Sequence, residues 1–111
     1  MMLKRLMSLL SRRRNEELIW AAEDGRLALV QKLLQKGANP NAKSEGDVTA
    51  LMRAASRGRL EVVKALLQSG AELNARTRRG RKAIDIAIQE GHNHVAALLQ
   101  ETGEAGGQVA E

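Results

Sequence analysis

LMRAASRGRLEVVKALLQSGAELNAR, residues 51–76, decides the fold of this 111-residue chain. It aligns without a gap with LIWAAEDGRLALVQKLLQKGANPNAK from Leu18 and with IDIAIQEGHNHVAALLQETG from Ile84, at an offset of 33 residues each time. Gly25, Gly58 and Gly91 fall in register, as do Gly37, Gly70 and Gly103, Ala21, Ala54 and Ala87, and Leu33, Leu66 and Leu99. A period of this length marks a stacked architecture, in which one unit cannot bury its apolar face alone and neighbours complete the core.

One unit can be read from its residues. A short helix starts near Leu18, Leu51 or Ile84 and carries small residues (Ala21–Ala22, Ala54–Ala55) that let neighbouring helices approach closely. It ends at a glycine suited to a left-handed cap. A second helix has apolar residues at Leu27, Leu29, Val30, Leu33 and Leu34, repeated as Leu60, Val62, Val63, Leu66 and Leu67. That spacing makes a wide buried stripe. It too ends at a glycine, and the segments GANPNAKSEGDVT and GAELNARTRRGRK then read as hairpin-like excursions into the next unit.

The unit resembles an ankyrin repeat, and TALMRAASRGRLEVVKALLQSGAELNAR (49–76) matches the family pattern nearly position for position. The resemblance covers about residues 15–103 and implies an all-α solenoid of helix-turn-helix units with β-hairpin-like fingers, in three repeats over 15–43, 44–76 and 77–103. There are departures. Where the family has Thr-Pro-Leu-His, this chain has Glu16-Glu17-Leu18-Ile19, Thr49-Ala50-Leu51-Met52 and Lys82-Ala83-Ile84-Asp85. Only Thr49 keeps the capping hydroxyl, and no repeat keeps the histidine. Lys82 and Asp85, at i and i+3, are expected to form a weak ion pair in its place. Gly80 keeps the loop glycine, whereas Asp47 occupies that position in the first finger with Gly46 one place early, so the two fingers are expected to differ in shape.

The ends read differently from the repeats. Residues 1–14, MMLKRLMSLLSRRR, hold Lys4, Arg5, Arg12, Arg13 and Arg14 and no acid, while the whole chain carries +5. Leu3, Leu6, Met7 and Leu10 lie at i, i+3, i+4 and i+7, giving a basic amphipathic helix. The leading expectation is a cap over the exposed face of repeat 1. An interfacial membrane helix and a transit peptide are the rivals. Residues 104–111, rich in glycine, read as a solvated flexible tail.

Composition excludes much chemistry. With no cysteine there is no disulfide and no thiolate nucleophile or ligand. No transmembrane span or secretory signal is evident, which points to the cytoplasm. No phosphate-cradling glycine loop occurs, and His92 and His94, the only histidines, read as a surface helix start rather than a metal site. A single layer of helix pairs offers a groove and no deep pocket, so no enzyme activity and no cofactor are expected, and the chain is expected to be a monomer.

What the family resemblance implies is a protein-binding surface on the finger tips and the adjoining inner-helix face. Carried over by position, it comprises Lys43, Glu45 and Val48 on the first finger and Arg76, Arg78, Arg79 and Arg81 on the second. The inner helices add Trp20, Glu23 and Asp24, then Arg53, Ser56 and Arg57, then Gln89 and Glu90. Trp20, the lone aromatic, is either an interface anchor or packed beneath the N-terminal helix. The basic second finger and the acidic Glu23–Asp24 end suit a protein partner with acidic patches, bound by an adaptor or inhibitor. Nucleic-acid binding through RTRRGRK (76–82) is disfavoured, because no aromatic side chains are interleaved for base stacking.

Overall fold

The computed structural model of the chain describes residues 2–109, with side chains described over 2–104. Six helices follow one another: α1 (Met2–Asp24), α2 (Leu27–Gln35), α3 (Ala50–Ser56), α4 (Leu60–Gln68), α5 (Ala83–Gln89) and α6 (Asn93–Val109). The C-terminal part of α1 stacks on α3 and α3 on α5, forming an inner row. Helices α2, α4 and α6 form an outer row, each packed on the inner helix before it.

The repeat register is also the packing register. Leu18 and Leu51, one period apart, are wholly buried, and Leu66 and Leu99 occupy equivalent buried sites in the outer row. Each such leucine stabilises the stack by about 1.5–3 kcal/mol relative to solvent exposure. Ala22, Ala54, Ala55 and Ala87 are closed off completely, because inner helices this close leave room for a methyl group and little more. Gly58 explains why glycine recurs between the two helices of a unit. Its φ of +70° is left-handed, and a Cβ there would sit 2.6 Å from Nδ1 of His92.

Thr49 is the one buried polar side chain among the described residues. Its Oγ1 accepts from the Met52 N–H at 3.4 Å, and the Met52 thioether accepts from the Thr49 N–H at 3.4 Å. A methionine thus closes the reciprocal cap that the missing histidine leaves open. In repeat 3 the expected Lys82–Asp85 ion pair is not formed: Asp85 Oδ2 instead accepts from the Lys82 backbone N–H at 3.0 Å. A carboxylate three residues into a helix is close to the N-cap N–H, and that bond wins over a flexible ammonium.

Both chain ends depart from expectation. Residues 2–14 form the expected helix but continue the inner helix of repeat 1 instead of folding over it, so α1 runs unbroken for 23 residues. Leu3, Leu6, Met7 and Leu10 are all exposed. At 3.6 residues per turn the centre of their stripe is rotated by about 90° from that of Leu18, Ile19, Ala21 and Ala22, so most of it misses the direction in which α1 meets the core. Where α1 enters the repeat, Asn15 Oδ1 accepts from the Asn39 N–H at 2.8 Å and ties the segment after α2 to the helix. At the other end, α6 passes through Gly103 without a left-handed residue. Of the expected tail over 104–111, residues up to Val109 belong to α6, and 110 and 111 lie outside the described residues.

Candidate functional site

The two fingers are tight turns with one hydrogen-bond frame. In the first, Ser44 N–H donates to the Val48 carbonyl at 2.8 Å and Asp47 N–H to the Ser44 carbonyl at 3.0 Å. In the second, Thr77 N–H donates to the Arg81 carbonyl at 2.8 Å and Gly80 N–H to the Thr77 carbonyl at 2.8 Å. Ser44 and Val48 form an isolated antiparallel bridge, and no strand occurs among the described residues. The expected difference in shape is therefore narrow. Asp47 adopts φ +61°, doing without a glycine what Gly80 does at +83°, and Gly46 adds a second left-handed residue at +77°. Asp tolerates this region better than most residues, though not without strain. The fingers are joined side by side, the Arg78 N–H donating to the Gly46 carbonyl at 2.9 Å.

The cations of the second finger do different jobs. Arg76 Nη1 donates to the Gly80 carbonyl at 2.9 Å, bracing the turn from within. Arg81 Nη1 donates to Gln89 Oε1, which ties the finger to the exposed face of α5. Arg78 and Arg79 are exposed, and their guanidinium groups make no hydrogen bond or ion pair among the described residues. On the first finger Lys43 and Glu45 are exposed, while Val48 is half-buried and packs on the core. Val48 is thus a support for the finger and not part of its tip, because its side chain lies on the inward edge of the turn.

The inner-helix face is partly spoken for. Arg57 and Glu23, both placed at the surface by the repeat register, pair with each other at 3.2 Å across the repeat 1–repeat 2 boundary. Arg53 is half-buried, and its Nε is enclosed with no hydrogen-bond partner among the described residues. Ser56 is half-buried, and Asp24, Gln89 and Glu90 are exposed. Trp20 stands 72% exposed, which overturns packing beneath the N-terminal helix: that helix extends away and cannot fold over it. The indole forms a ridge between two open grooves. One, of about 840 Å³, is bounded by Met7, Asn15, Ile19, Lys43 and Glu45; the other, of about 500 Å³, by Arg13, Glu17, Asp24, Arg26 and Leu29.

One device escaped the sequence reading. Arg59 Nε donates to the Glu23 carbonyl at 3.0 Å, and His92 Nε2 donates to the Ser56 carbonyl at 3.1 Å. Donor and acceptor both shift by 33 residues, so the residue after each glycine ties its repeat to the open C-terminal carbonyls of the inner helix before it. The offset was visible in the sequence; the target, a backbone oxygen, was not. His94 Nε2 reaches the Gly58 carbonyl at 3.3 Å. Both histidines therefore serve the repeat boundary, and among the described residues no cluster of His, Cys, Asp or Glu could hold a metal.

No helix among the described residues is long and apolar enough to cross a membrane. Comparison with curated proteins gives no significant match. A family model for ankyrin repeats, in three copies, matches residues 18–107. That span holds the stacked helix pairs, the boundary ties and both fingers, and repeats of this family are generally protein–protein interaction modules. The chain belongs to the ankyrin repeat family.

Proposed function

We propose that this chain is an adaptor or inhibitor that binds an acidic protein surface through the tip of its second finger. The observation that carries the reading is the division of labour among the arginines: Arg76 and Arg81 are held by intramolecular hydrogen bonds, whereas Arg78 and Arg79 stand exposed with no such partner among the described residues. Paired guanidinium groups on a braced turn are pre-organised for carboxylates, and such a tip favours fast, selective association. Trp20, exposed between two grooves, supplies an apolar anchor at the other end of the inner face. Arg57 and Glu23 contribute less, since they neutralise each other.

The test is affinity capture from the source cell with the parent chain and with R78E/R79E. The reading requires that the proteins retained by the parent be lost from the variant; undiminished retention would show that the finger is not the contact. Titration with RNA and duplex DNA at two salt concentrations separates the nucleic-acid alternative, since phosphate contacts weaken steeply with salt.

A further inference from the structure

The N-terminal half of α1 carries a surface that neither the stack nor the fingers use. Met2, Leu3, Leu6, Met7, Leu9 and Leu10 are all exposed, Leu3 by 70%, Leu6 by 53% and Leu10 by 46%. None belongs to the buried cluster or to the side chains packed against it. On a helix of 3.6 residues per turn these six fall within about 160° of arc, and Lys4, Ser8, Ser11, Arg12 and Arg5 fill the opposite side. Residues 2–13 extend α1 for about 18 Å, at 1.5 Å per residue, and only the Met7–Arg12 side borders the groove towards the first finger.

We infer that this segment is an interfacial anchor that lies in the plane of an anionic lipid surface, apolar arc inward. Charge and shape both select that occupant. The face is convex and wide, as suits half-immersion in a lipid boundary, and cations flank both of its edges: Arg5 and Arg12 beside Leu9, Lys4 beside Met7. Their long side chains can reach headgroup phosphates while the leucines enter the acyl region. Residues 1–14 hold five cations and no acid, with the first acids at Glu16 and Glu17. A second copy of the chain would bring these cations against their like, which opposes self-pairing. Six Leu and Met side chains on one short helix give weak, reversible attachment by themselves, so this segment needs anionic lipid to hold the surface.

The experiment is co-sedimentation of the full chain with phosphatidylcholine vesicles, with and without phosphatidylglycerol, at low and high salt. The parent is expected to pellet with anionic vesicles at low salt and to stay in solution with neutral ones. L6E/L10E is expected to lose binding, and K4Q/R5Q/R12Q to weaken it roughly 100-fold, about fivefold per cation. Both variants should melt with the parent, since no substituted side chain touches the core. Failure of the parent to pellet with anionic vesicles overturns the inference. So does full retention of L6E/L10E, which would assign the contact to other cations. Self-association of the vesicle-free chain that L6E/L10E abolishes would name a second copy as the occupant, and likewise overturns it.

Discussion

The first and second fingers are built on the same two backbone hydrogen bonds, one repeat apart. Their tips share almost nothing. One presents Glu45, Gly46 and Asp47; the other presents Arg78, Arg79 and Gly80. The comparison teaches that the turn is specified by which residue reaches a left-handed φ and by the hydroxyl residue that opens it, Ser44 or Thr77, and leaves the tip chemistry unconstrained. Scaffold and recognition are separable within five residues.

The most disruptive way to break the shared frame is at its left-handed position. Gly80→Val puts a β-branched residue at φ +83° and is expected to destabilise the chain by about 2 kcal/mol, read from urea unfolding. Space is not the cause, because a Cβ there would meet nothing within 4 Å. The next effect is smaller. Thr77→Val deletes the Oγ1 that accepts from the Arg81 N–H at 3.1 Å and should cost about 1 kcal/mol. Asp47→Gly sharpens the comparison from the other side by relieving the strain of φ +61°. It is expected to stabilise the chain by about 0.5 kcal/mol, the relief being partly offset by the greater freedom of glycine in the unfolded state. A loss of stability in that variant would mean that the Asp47 side chain does something in the first finger beyond occupying the turn.

The stack itself was legible in the sequence because glycines and leucines mark a 33-residue period, and burial follows that period at Leu18, Leu51, Leu66 and Leu99. Other features were hidden for physical reasons. The apolar pattern of residues 2–10 announces an amphipathic helix and not what covers it; only the continuity of α1 fixes the phase between that stripe and the core-facing arc. Register places Arg57 and Glu23 at the surface but cannot report that they meet across a boundary at 3.2 Å. Arg76 and Arg81 look like Arg78 and Arg79 in sequence, and differ only in finding the Gly80 carbonyl and Gln89. The candidate contact residues carried over by position thus include several that the fold already uses.

The smallest effect on stability should accompany the largest effect on binding. Replacing Arg78 and Arg79 removes no intramolecular side-chain bond among the described residues, so R78E/R79E should unfold within about 0.5 kcal/mol of the parent. The deciding measurement is capture of the native partner by that variant, alongside its unfolding curve. Loss of the captured protein with stability unchanged is the predicted result; capture equal to the parent by an equally stable variant would contradict it.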